Sequence, residues 1–155
     1  MSFIITGLSG HPFSHLYGLT DDELHNQGAI RVSVDQYPSF PDRITLRDIP
    51  IGETALLLNH TYLDTQSPYK GSHAIFIWEG QWQAGVYQNV LPEVMKNRVL
   101  SLRGFDSQDM LIEATLAQPG EAKEQILSLL TNDKVAFILA HNAKQGCFSC
   151  RIERE

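Results

Sequence analysis

Period-two alternation of apolar and polar residues recurs from one end of this chain to the other, and nothing else narrows its possible folds as much. In AIRVSVD, Ile30, Val32 and Val34 alternate with Arg31, Ser33 and Asp35. Successive side chains of a strand point to opposite faces, so such a segment reads as a strand with one face buried. FIITGL, RITLRDI, ETALLLNHTY, HAIFIWEG, VLSLRGF, MLIEATLA, KVAFILAH and CFSCRIE read the same way.

Helical patterns are fewer. In PGEAKEQILSLLTND, Ala122, Ile126, Leu129 and Leu130 form one apolar stripe of an amphipathic helix over about 121–131. Glu121 and Glu124 fall in its first turns, where the helix dipole favours negative charge. Two shorter helices are expected at LPEVMKN, with Pro92 at the first helical position, and at TDDELHNQG, stopped by Gly28. Most connections are short enough for antiparallel pairing. The expected architecture is α+β: a mostly antiparallel curved β-sheet or partly open barrel, closed on one side by the 121–131 helix. The chain reads as a single globular domain over 1–155.

Charge and cysteine content exclude several classes of function. The net charge is −6, and the 12 Lys and Arg residues are dispersed rather than gathered in a basic stripe. Nucleic-acid binding needs such a stripe to displace counterions, so no nucleic-acid partner is expected. No apolar run is long enough to cross a bilayer, and no membrane partner is expected either. MSFIITGLSGHP lacks the basic and long apolar regions of a signal peptide, which points to the cytoplasm, where thiols stay reduced. Cys147 and Cys150 are the only cysteines, too few for a tetrahedral thiolate metal site. His11 and His15 have helical ligand spacing, but Pro12 lies between them and no third ligand is in view. No metal and no cofactor are expected, since GxSxG, HExxH, GxGxxG and Walker patterns are all missing.

HNAKQGCFSC gathers His141, Asn142, Cys147 and Cys150 within ten residues. Pairing His141 with Phe148 leaves a four-residue loop, AKQG, that ends on Gly146, which can take the left-handed conformation. That register puts Phe137, Leu139, Phe148, Cys150 and Ile152 on one face and segregates apolar from polar. It places His141 with Cys150 on the apolar face, and Asn142 with Cys147 on the other, exposed one. A Cys–His dyad within the hairpin and a redox CxxC are both disfavoured, because each pair is expected to point apart. His141, Gly146 and Cys150 then read as structural residues.

Thr45-Leu46-Arg47, Ser101-Leu102-Arg103 and Ser149-Cys150-Arg151 share one form, hydroxyl, apolar, arginine, each within an expected strand. On adjacent strands, Arg47, Arg103 and Arg151 with their hydroxyls would line one patch, and arginine forks match carboxylate and phosphate oxygens in pairs. The alternative for each arginine is a solvated face, paired with Asp48, Asp106 or Glu153.

Four stretches together resemble a known family: RITLRDIPIGETALLLNH, SPYKGSHAIFI, LPEVMKNRVLSLRGFDSQDML and HNAKQGCFSCRIER. Their order and spacing, over about residues 27–154, resemble the bacterial family catalogued as domain of unknown function 1203. Its pattern reads LSLRxFDxxGM and HNAxxGCxxxRxxR, which Arg103, Asp106, Met110, His141, Asn142, Gly146, Cys147, Arg151 and Arg154 fit. Asp109 stands where the pattern commonly has Gly, and Ser39 and Phe40 lie in a region where some relatives carry cysteine. The resemblance implies a compact cytosolic bacterial protein and supplies no activity, substrate or cofactor.

Three functions remain open on the sequence. The first is a small-molecule binding domain that holds an anionic metabolite on Arg47, Arg103, Arg151 and Ser101, oriented by Asn142 and Tyr69. The second is an enzyme with Cys147 as nucleophile, activated by an adjacent arginine and by His73 or His60. The third is a protein-interaction module working through a sheet edge or through Trp78 or Trp82.

Overall fold

Every strand pair is antiparallel, as the short connections require, and the pairs assemble into two open sheets rather than a barrel. The computed structural model describes residues 1–155. The strands are β1 (Phe3–Thr6), β2 (Ile30–Ser33), β3 (Thr54–Leu63), β4 (Gly71–Trp78), β5 (Val86–Gln88), β6 (Leu100–Phe105), β7 (Leu111–Ala117), β8 (Phe137–Asn142) and β9 (Phe148–Arg154). The helices are α1 (Asp21–Asn26), α2 (Glu93–Lys96) and α3 (Ala122–Leu130), with a 3-10 turn at His11–Leu16. The six-stranded sheet runs β5-β1-β9-β8-β6-β7 and the three-stranded sheet β2-β3-β4. The architecture is α+β, and no helix is long and apolar enough to cross a membrane.

The expected stripe of α3 packs as its spacing requires. Ala122, Ile126, Leu129 and Leu130 are buried with Phe3, Ile5, Leu100, Leu102, Ile138, Ala140, Cys150 and Ile152 of the larger sheet, and Val94 and Met95 of α2 join them. On the opposite face of that sheet, Phe105, Phe137, Leu139 and Phe148 meet Leu63 of β3. Leu56, Leu58, Ile75 and Ile77 of the smaller sheet bury against Leu16, Leu24 and Ile44.

Three local expectations are corrected. RITLRDI is no strand. The Asp42 carboxylate accepts hydrogen bonds from the Ile44 N–H (3.1 Å), the Thr45 N–H (2.7 Å) and the Thr45 hydroxyl (2.6 Å), which curls the chain away from a ladder. Leu46, fully buried, is held at φ 62°, a conformation that costs a branched side chain energy. In AIRVSVD, Ile30 is 55% exposed, because β2 is an edge strand, and burial comes at Val34 beyond its end. Pro92 caps α2 from outside rather than opening it.

The β8–β9 hairpin keeps the expected His141–Phe148 pair and then shifts by one residue, so that Ala140 faces Cys150 and Ile138 faces Ile152. Ser149 is the extra residue, a β-bulge. Phe148 therefore joins Phe137 and Leu139, whereas Cys150 and Ile152 go to the α3 side. His141 and Cys150 are separated rather than paired on one face, and the pairing carries Cys150 to the side of Asn142 and Cys147.

Candidate functional site

The turn after β8 delivers Cys147 to a cleft. Gly146, at φ 83°, closes the loop, its N–H donating to the Asn142 carbonyl (2.7 Å) while the Asn142 N–H donates to the Cys147 carbonyl (2.8 Å). Cys147 is 9% exposed, not an open surface thiol, because Arg43 covers it. The Asp42-centred turn that breaks the expected strand is what aims Arg43 at this point.

Arg43 is 2% exposed. Its Nε donates to the Phe148 carbonyl (2.8 Å), its Nη1 to the Pro41 carbonyl (2.7 Å) and its Nη2 to Cys147 Sγ (3.1 Å). It takes part in none of the five ion pairs of the chain. Burial pulls its guanidinium below the ordinary arginine value, and the Cys147 sulfur is the first influence opposing that pull. A second donor, Asn142 Nδ2, reaches the same sulfur at 3.4 Å. Two donors, one of them cationic, therefore converge on one sulfur.

The cleft above Cys147 has a volume of about 250 Å³, with Phe40, Phe76, Arg98 and Gln145 among its walls. Phe40 and Phe76 stack with ring centroids 4.1 Å apart. Arg98 is tied down by Asp48 (2.6 Å) and by the carbonyls of Val94 (3.1 Å) and Ser39 (3.4 Å), so it acts as a fixed wall. Asn142 is 5% exposed, and its Oδ1 has no hydrogen-bond partner.

The arginines of the sequence pattern do not converge as one patch. Arg103 of β6 and Arg151 of β9 flank Leu139 in a single row across β8. Arg103 donates to Ser101 Oγ (3.1 Å), while Arg151 pairs with Glu153 (2.6 Å) and covers the Phe137 ring at 3.8 Å. Arg47 stands apart in the Asp42 turn, 5.9 Å over Trp78. Tyr69 lies in the β3–β4 loop, its ring edge-on to that of Phe105 with centroids 5.9 Å apart. None of these residues lines a cleft.

The histidines stand apart from Cys147 as well. His141 is 1% exposed, its Nδ1 bonded to the Gly146 carbonyl (3.0 Å) and its Nε2 without a partner. Burial lowers it to about 4. His60 and His73 face each other across β3 and β4, and burial lowers His60, with Arg43 adding to the effect. Cys150, fully buried, contacts Met95 Sδ at 3.6 Å, and burial pushes its thiol up to about 12. No group of three or more His, Cys, Asp or Glu comes together to hold a metal.

Over residues 39–154 the chain matches the family described as protein of unknown function DUF1203. It belongs to that family. No curated protein and no solved structure is significantly similar to it. The DUF1203 match begins at Ser39, in the wall of the Cys147 cleft, and takes in Arg43, Arg98, Asn142 and Cys147. Ser39 and Phe40 both line this cleft. Asp109 sits at φ 60°, a conformation that glycine adopts at no steric cost.

Proposed function

We propose that the protein is a small thiol-dependent enzyme in which Cys147, held as a thiolate by Arg43 and Asn142, attacks an electrophile bound in the cleft. The observation that carries this reading is the buried Arg43 guanidinium, whose only side-chain partner is the Cys147 sulfur at 3.1 Å. A buried cation with no carboxylate in contact is costly even with Asp42 nearby, and a thiolate would supply a contacting counter-charge. With the thiolate preformed, no histidine base is needed, which suits a cleft lined by none. The sulfur forms a bond to the electrophilic atom, and the displaced electron pair leaves on the group it replaces. A reducing bacterial cytoplasm suits this chemistry, because the thiol would stay free.

The test is alkylation by iodoacetamide at about pH 6, with the modified residue mapped by mass spectrometry. Cys147 should react, and Arg43→Met should slow it at least about tenfold. Reaction no faster than that of a cysteine in an unstructured peptide would end the proposal.

A second reading keeps a small-anion site on Arg103 and Arg151, supported by their shared row across β8. It is the weaker of the two, because Arg151 already has Glu153 and no cleft opens there. A phosphate-dependent thermal shift abolished by Arg103→Ala would favour it.

A further inference from the structure

The Cys147 cleft does not end at Gln145. A second cleft of about 240 Å³ is lined by Asn97, Arg98, Val99, Asn142, Lys144 and Gln145. It shares Arg98, Asn142 and Gln145 with the first, so the two are lobes of one groove. Their linings differ. The inner lobe combines the sulfur with the stacked rings of Phe40 and Phe76, whereas Val99 is the single apolar residue of the outer lobe. At the junction stands Asn142, 95% buried by its 5% exposure, with Oδ1 unpartnered. An amide oxygen buried in that state can only accept, and it points to a hydrogen-bond donor on the ligand near the junction of the lobes.

Charge separates the lobes further. Both arginines of the groove are already engaged, Arg43 with Cys147 and Arg98 with Asp48. Lys144 is exposed at the outer lobe and belongs to no ion pair of the chain. No Asp or Glu lines either lobe; the carboxylates of Asp48 and Glu93 line an adjoining cleft that shares Asn97 and Arg98, and Asp48 is neutralised by Arg98.

We infer that the groove takes a two-part ligand, with an apolar electrophilic head against Phe40, Phe76 and Cys147 and an anionic tail, carboxylate or phosphate, at Lys144. This rests on the thiolate reading of Cys147 and adds the substrate class to it. It also moves the expected anion selectivity from the sheet arginines to the loop that follows β8.

Two maleimides of equal length test it, one with a carboxylate-terminated tail and the other with the neutral methyl ester of the same acid. A thiolate adds across the maleimide double bond, and the carbanion formed takes a proton from water. Each rate at Cys147 is divided by the rate of the same probe with a free thiol. The carboxylate probe should react about fivefold faster than the ester on this scale, as expected for one unit charge near contact in a solvated groove. Lys144→Gln should remove the difference, Lys144→Glu should invert it, and high salt should shrink it. Equal rates for the two probes in the unaltered protein would overturn the two-part ligand while leaving a reactive Cys147 in place. If neither probe reacts faster than it does with the free thiol, the thiolate reading fails and the inference falls with it.

Discussion

Arg43 Nη2 lies 3.1 Å from Cys147 Sγ, although the two residues are 104 positions apart in the chain. The sulfur is the only side-chain partner of a buried guanidinium, and on the proposed reading the guanidinium holds that cysteine as a nucleophile. The Asp42 turn and the Gly146 loop exist in this geometry to bring them together.

The Asp42 carboxylate therefore matters for both stability and reactivity. It accepts four hydrogen bonds, from Ile44, Thr45 (twice) and the Trp78 N–H at 2.8 Å. Asp42→Ala leaves those donors without it and frees the segment that aims Arg43. Urea unfolding should show a loss of about 2–4 kcal/mol. Cys147 should also lose its alkylation advantage under conditions in which the variant remains folded. Full reactivity in a folded Asp42→Ala protein would show that Arg43 is positioned by other contacts.

His141 sets an acid limit on stability. Its folded value of about 4 lies below the unfolded value of about 6.5, so the unfolded chain takes up the proton first as pH falls. The stabilisation is complete above about pH 6.5 and is lost as pH falls towards 4, about 3 kcal/mol in all at that limit. Arg103, His73 and Arg43 add positive charge around the ring and deepen the effect. Glu79, held at about 2 by Arg31 at 2.8 Å, acts in a lower window: its contribution is present above about pH 4.3 and fades as pH falls towards 2. Unfolding free energies measured from pH 7 to 4 should fall, and His141→Phe should flatten that slope. A slope unchanged in the variant would assign the effect elsewhere.

How much of this was legible depended on the range of the interactions involved. The α3 stripe, the antiparallel α+β class and the His141–Phe148 pair follow from local spacing and loop length, and all are found. The Ser149 bulge leaves no mark in a strand of alternating residues, so Phe148 keeps the expected face while Cys150 and Ile152 lie on the opposite one. RITLR alternates through five residues, but Asp42 reaches Trp78 of β4 and Leu46 adopts a positive φ that its side chain does not advertise. Arg43 was hidden for the same reason, since its sulfur partner is visible only after folding. The one available hint was the arginine beside an aspartate in PDRIT, a pair too common to single out.

Asp109 offers a check on backbone strain. At φ 60° an aspartate is tolerated, a glycine fits without steric cost and a β-branched residue is strained. Asp109→Gly should be neutral or stabilising by up to about 1 kcal/mol, whereas Asp109→Val should cost about 1–3 kcal/mol. Thermal unfolding of the two variants gives the order directly, and a stable Asp109→Val protein would mean that the turn relaxes.

The charge state of Cys147 carries the whole account, and the far-ultraviolet absorbance of a thiolate reports it without any added reagent. The difference spectrum between the unaltered protein and Cys147→Ser should already show the thiolate band at about pH 6, and Arg43→Met should abolish it there. A band that appears only as pH approaches about 8.5, the range of an ordinary thiol, would contradict the assignment of Cys147 and Arg43 as an ion pair.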